Sequence, residues 1–118
     1  MQRLQGKTIL ITGATSGLGE AMAHRFAEEG ASIAAVGRSR ERGERLAKEL
    51  AVRFPAARAR FFPCDLTDAD AIMDLRKEVA ANGFAIDILV NNAGVFQTYL
   101  LEEITPEAYD HVFRINVG

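Results

Sequence analysis

Three glycines stand close together in "TGATSGLG", residues 12–19: Gly13, Gly17 and Gly19. Glycine loses more backbone entropy on folding than any other residue, so three in one short stretch need a reason. A tight turn is one. The close approach of an anion is another, because a backbone without side chains lets phosphate oxygens reach its N–H groups. The spacing is G-x-x-x-G-x-G. It differs from G-x-G-x-x-G, and no Gly-Lys-Ser/Thr follows to complete a Walker A loop. Further on, Arg38 follows Gly37 at the end of an apolar run. A guanidinium can clamp a phosphate with two charge-assisted hydrogen bonds. As part of the charged run "RSRERGER", Arg38 can also be a solvated surface residue, the lesser reading because no acid stands at the end of the apolar run. Cys64 closes another apolar run, where a packing role is the simpler reading, and no His/Cys cluster suggests a metal.

These residues need elements to hold them, and the sequence alternates regularly. "KTILIT" (7–12) is β-branched and bounded by glycine, which predicts a buried strand. Leu18, Met22 and Phe26 recur every four residues and predict an amphipathic helix that stops at Gly30. "ASIAAVG" (31–37) predicts a second strand. Ser39 can cap a second helix with the apolar stripe Leu46, Leu50 and Phe54, and Pro55 ends it. "ARFFPC" (59–64) predicts a third strand, whose Pro63 belongs at a strand end or a sheet edge. Thr67 opens T-x-x-D, close to a capping box, before a third helix with core positions Ile72, Leu75 and Val79 that ends near Asn82-Gly83. "IDILVNN" (86–92) predicts a fourth strand. Thr105-Pro106 then reads as N-cap and N1 of a last helix, on which Tyr109, Val112, Phe113 and Asn116 share one face.

The order β-α-β-α-β-α-β-α implies an α/β fold: a doubly wound, Rossmann-like parallel sheet with helices on both faces, here an incomplete four-stranded portion. The glycines then sit where the first strand turns into the first helix. In such a sheet this is where the phosphates of a dinucleotide dock. An acidic residue at the end of the second strand normally bonds the ribose 2′-OH. Gly37 and Arg38 stand there instead, which favours a 2′-phosphate and therefore NADP(H) over NAD(H).

Four motifs in order now carry a resemblance: "TGATSGLG" after the first strand, "CDLTD" (64–68) after the third, "NNAG" (91–94) after the fourth, and "RINVG" (114–118) at the end. Together they resemble the short-chain dehydrogenase/reductase family, from about Gly6 to the last residue. The resemblance implies an NADP(H)-dependent oxidoreductase that interconverts an alcohol and a carbonyl. It implies that Gly13, Ser16, Gly17, Leu18 and Gly19, with Thr15 among them, wrap the pyrophosphate and adenosine ribose. Arg38, with Ser39 beside it, would read the 2′-phosphate. Asp65 would bond the adenine amino group, with Leu66 beside the ring. Asn92, Ala93 and Gly94 would line the cofactor cleft, while Asn91 helps to hold the sheet. Asn116 would be the asparagine of the catalytic tetrad, although an amide on an apolar helix face can also be structural.

The family's serine and Tyr-x-x-x-Lys are expected after Asn116, and neither Tyr99 nor Tyr109 has a lysine four residues on. The 118 residues therefore read as the N-terminal part of a single Rossmann domain, truncated at the C-terminus and inactive alone. The fourth strand would leave an apolar edge exposed, and the isolated chain would be marginally stable, aggregation-prone or dependent on a partner. Two other readings follow: an NADP(H)-binding module without catalysis, or a subunit that completes another protein's sheet. A net charge of −2 argues against a nucleic-acid or anionic-membrane partner. A single cysteine, and no apolar segment of signal-peptide length at the N-terminus, suit a reducing, cytoplasmic setting. The expected partner is a small alcohol or carbonyl compound, and the full-length protein is expected to be a homo-oligomer.

Overall fold

The β-branched and apolar stretches become strands that bury both of their faces. In the computed structural model, which describes residues 3–93 and the backbone of 113–116, the order is β1 (Thr8–Thr12), α1 (Gly17–Glu28), β2 (Ser32–Gly37), α2 (Arg40–Arg53), β3 (Ala59–Pro63), α3 (Ala69–Ala81), β4 (Ile88–Asn91) and β5 (Phe113–Asn116). All pairings are parallel, in the spatial order β3-β2-β1-β4-β5. The chain winds outward from β1 through β2 to β3, then returns to the other side of β1 as β4. The switch point lies between β1 and β4, where ligands dock in open α/β sheets.

Alternation along each strand splits the core in two. Ile9 and Ile11 of β1 join Ile33, Leu46, Leu50, Phe61 and Val90 under α1 and α2. Leu10 points the other way and joins Val36, Phe62, Ile72, Leu75, Val79 and Leu89 under α3. Helices therefore cover both faces, as the doubly wound reading requires. Among the described residues, no helix is long and apolar enough to cross a membrane.

Three local details differ from expectation. On α1 the buried residues are Gly19, Ala23 and Ala27, with Leu18 53% exposed. The core stripe is thus one residue on from Leu18, Met22 and Phe26, a rotation of about 100°. Small side chains let the helix lie close on the sheet, while Met22 and Phe26 pack along its flank. The N-cap of α3 is Asp68, whose side chain accepts from the amides of Asp70 and Ala71. Thr67 turns back to Asp65 instead.

The third difference is at the end of the chain. Residues 113–116 form β5, paired in register Ile88↔Phe113 to Asn91↔Asn116, so this stretch is strand and not the last turns of a helix. Its residues, Phe-Arg-Ile-Asn, alternate apolar and polar. The edge of β4 offers unmet N–H and C=O groups, and pairing outweighs the helical spacing of Tyr109, Val112, Phe113 and Asn116. The sheet has five strands, the four expected and one more. β4 is consequently an interior strand, and the exposed apolar edge on which a sheet-completing role rested is covered. Pro63, by contrast, ends β3 on the outer edge of the sheet, where its missing N–H costs nothing.

Candidate functional site

The three glycines do three different things. Gly13 adopts φ +64°, the left-handed region, and a Cβ there would press on Asn92 Nδ2 at 3.1 Å and the Ala93 amide at 3.2 Å. Gly19 is buried; a Cβ on it would overlap the carbonyl oxygen of Gly13 and lie 2.8 Å from Ala14 Cα. Gly17 is exposed, has no positive φ, and a Cβ on it would meet nothing within 4 Å. The turn explains the first two. Nothing in the described protein explains the third.

Around them the loop is tied by a compact hydrogen-bond network. Ser16 caps α1: its Oγ accepts from the Gly19 amide at 3.1 Å and donates to Gly13 O at 2.8 Å. Asn92 Nδ2 donates to Gly13 O at 3.0 Å and to Ser16 Oγ at 2.9 Å. The Ser16 hydroxyl thereby makes every bond it can, and both Asn92 Nδ2 protons are used. These two side chains build the loop. The first-turn amides of Gly17 and Leu18 lie ahead of any intrahelical acceptor and have no protein partner among the described residues. They sit at the positive end of the α1 dipole.

The end of β1 is joined to the end of β4 by Asn91, expected to help hold the sheet, and by Thr12, whose part in this the sequence reading passed over. Thr12 Oγ1 donates to Asn91 Oδ1 at 3.0 Å and accepts from the Ala93 amide at 3.2 Å. Thr12 and Asn91 are each 1% exposed. Asn91 Nδ2 has no hydrogen-bond partner among the described residues.

A groove of about 440 Å³ opens at this end of the sheet. Gly13, Thr15 and Ser16 form one side; Gly37, Arg38 and Arg42 the second; Cys64, Asp65, Leu66 and Thr67 the third; Ala93 closes it. Seven of the expected site residues thus meet in one place: Gly13, Thr15, Ser16, Arg38, Asp65, Leu66 and Ala93. At Gly37 a Cβ would lie 3.0 Å from the side-chain atoms of Thr15, so a larger residue there would press on Thr15. Leu18 stands exposed at the start of α1. Ser39 caps α2, its Oγ accepting from the Arg42 amide at 3.3 Å, and does not line the groove. Asn116 is described as backbone, opposite Asn91 in the sheet. Gly94, Tyr99, Leu100, Leu101, Tyr109, His111 and Val112 lie outside the described residues.

Arg42 is the residue that sequence reasoning missed, since it looked like one more charge on a solvated helix. Its position four after Arg38, in the first turn of α2, was the available signal. Both arginines are exposed, and neither forms an ion pair with a carboxylate among the described residues. Asp65 faces them from the third side. Its carboxyl is held below the ordinary carboxylate range, first by the hydrogen bonds from the Thr67 hydroxyl and amide, and further by the charge of Arg38. Cys64 is 6% exposed, and burial, with the nearby charges of Asp65, Asp68 and Asp74, pushes its thiol up to about 11. It is a packing residue with little thiolate character.

A second hollow, of about 480 Å³, lies at the opposite end of the strands around Gly6, Gly30 and Ser32. Its charged lining residue, Arg53, stacks on Phe54 at 5.2 Å and donates to His24 Nδ1 at 3.1 Å. His24 Nε2 lies 3.3 Å from Glu49. This cluster ties α1 to α2 and is remote from the glycine loop.

Residues 7–118 match the family model described as short chain dehydrogenase. The chain is 43% identical over 116 residues to D-threitol dehydrogenase of Mycolicibacterium smegmatis, covering 98% of this chain and 44% of that protein. It is 42% identical over 116 residues to sorbitol dehydrogenase of Cereibacter sphaeroides, covering 98% and 43%. Among solved structures, 2-keto-3-deoxy-D-gluconate dehydrogenase from Streptococcus agalactiae superposes with TM-score 0.80 at 27% identity, over 99% of this chain and 53% of that one. The chain spans less than half the length of these two sequence relatives.

Proposed function

Because the chain belongs to the short-chain dehydrogenase/reductase family, we propose that it forms the cofactor-binding part of an NADP(H)-dependent oxidoreductase that interconverts an alcohol and a carbonyl. One observation carries this reading: Gly17 is bare at the N-terminus of α1, next to the groove-lining Ser16, and the groove holds two arginines that form no ion pair with a carboxylate among the described residues. A pyrophosphate fits the first feature and a 2′-phosphate the second.

In this reading Gly13 and Gly19 hold the loop shape, and the amides of Gly17 and Leu18 receive the pyrophosphate. Arg38 and Arg42 take the 2′-phosphate from one side of the groove. Thr15 and Ser39 fix the two turns that aim them. Asp65 accepts from the adenine amine, with Leu66 against the ring. Asn92, Ala93 and Gly94 border the cleft toward the reacting end. Held there, NADP(H) would supply the hydride chemistry of the alcohol–carbonyl interconversion. Asn116 is our candidate for the active-site asparagine. Relatives named for threitol and sorbitol make a polyol or its carbonyl counterpart a sensible first substrate to try.

The test is a fluorescence titration with NADPH and NADH, in the native chain and in Arg38→Asp. Loss of one bidentate, charge-assisted contact corresponds to about a 10- to 100-fold weaker NADPH complex. The preference should move toward NADH. An unchanged preference would refute the 2′-phosphate assignment.

A further inference from the structure

Asp65 and Arg38 carry opposite charges in one groove and are not ion-paired. Attraction between exposed charges is weak, but with both groups in one groove it favours pairing unless the carboxylate is held by other bonds. The restraint is visible. Asp65 Oδ1 accepts from Thr67 Oγ1 at 2.6 Å and from the Thr67 amide at 2.9 Å. Both donors converge on one oxygen, and Oδ2 has no donor among the described residues. Thr67 is itself anchored. The next residue, Asp68, caps α3 through the amides of Asp70 and Ala71, and its own amide donates to Asp65 O at 3.1 Å. The carboxylate is thereby referenced to a helix packed on the core, although the residue carrying it lies in a loop.

We propose that Thr67 is a positioning residue, which holds the Asp65 carboxylate for the nucleotide base and away from the guanidinium of Arg38. The inference rests on the nucleotide reading given above. It explains how one groove keeps an acceptor for an exocyclic amine and a cation for a phosphate without the two neutralising each other. Without the Thr67 hydroxyl, Asp65 pairs with Arg38, and both recognitions weaken together.

The experiment measures two ratios on the full chain by fluorescence titration. The first is the preference for NADPH over its hypoxanthine analogue, in which a carbonyl replaces the adenine amine. The second is the preference for NADPH over NADH. Thr67→Val should lower each by about three- to tenfold, the span of one hydrogen bond's net contribution. Thr67→Ser, which keeps the hydroxyl, should restore both. In the Asp65→Ala background, Thr67→Val should no longer change the NADPH-over-NADH ratio. If the valine variant does not fold, Thr67→Ala gives the same readout. Unchanged ratios in Thr67→Val, or a serine variant as impaired as the valine one, would overturn the proposal while leaving nucleotide binding intact. A native chain that binds neither NADPH nor NADH would overturn the nucleotide reading itself, and this inference with it.

Discussion

Replacing Gly17 with alanine separates a glycine kept for folding from one kept for a ligand. A Cβ at this position meets no protein atom within 4 Å, and the backbone there is not left-handed. No strain is therefore introduced. Alanine is a better helix former than glycine by up to about 1 kcal/mol, less in a first turn, so stability should hold or rise slightly. The same Cβ stands beside the amides that would receive the pyrophosphate, and it holds phosphate oxygens out of hydrogen-bonding range. Losing one charge-assisted bond costs about 1.5–3 kcal/mol, or about 10- to 150-fold in affinity. Urea unfolding followed by circular dichroism gives the first quantity, and NADPH titration the second. Gly19→Ala is the control with the opposite signature. Its Cβ overlaps Gly13 O and lies 2.8 Å from Ala14 Cα, so the loop must shift, at a cost of about 1–3 kcal/mol. A Gly17→Ala protein that binds NADPH as tightly as the native chain would refute the argument that this glycine is bare for a phosphate.

Three further outcomes are expected. Asn92→Ala removes the bonds to Gly13 O and Ser16 Oγ and should cost about 1–2 kcal/mol in urea unfolding; an unchanged midpoint would mean that the loop holds without them. Gly43→Ala sets helix propensity, worth about 1 kcal/mol in favour, against overlap with the buried ring of Phe61, and packing should win with a net loss of stability by the same assay. Cys64 should react with Ellman's reagent at pH 8 at least about 10-fold more slowly in the folded than in the urea-unfolded chain, because its thiol is raised from an ordinary 9.0 to about 11 and is shielded by burial. With the folded value raised, the stabilising contribution of the neutral thiol is intact below pH 9.0 and disappears as pH rises through about 11; equal labelling rates in the two states would contradict its burial.

The first four strands and the order of elements from β1 to β4 were legible because they depend on runs of apolar residues and on glycines, serines and prolines at their ends. Ser39 caps α2, Pro63 ends β3 and Gly30 follows α1, as their chemistry predicts. The face of α1 was not legible. Hydropathy favours Leu18, Met22 and Phe26, whereas close packing on a sheet favours Gly19, Ala23 and Ala27, and only the sheet decides. The same holds for Thr67 and Asp68, two adjacent residues that can both cap; the one not used for α3 was left for Asp65. In the site, residues with a motif were found and those defined by distance were missed. Arg42 matters through its place on the groove wall, and Thr12 through a hydrogen bond to Asn91. The strand at 113–116 depends on an available partner edge, which local spacing does not encode.

The hydrogen bond between Thr12 and Asn91 joins residues 79 apart in sequence. The neighbour that β1 finally takes on that side is β4, paired from Ile9↔Ile88 to Thr12↔Asn91. On a ribosome adding about 5–20 residues per second, β1 is complete roughly 4–16 s before β4 has been made. During that interval Ile9, Leu10 and Ile11 can pair with β2 on one side, while the other edge is open to whatever strand arrives first. The nascent chain therefore passes through a window in which its most apolar strand is half-zipped. The groove takes its walls from the segments that follow β1, β2 and β3, and its last lining residue, Ala93 just past β4, arrives only as that window closes.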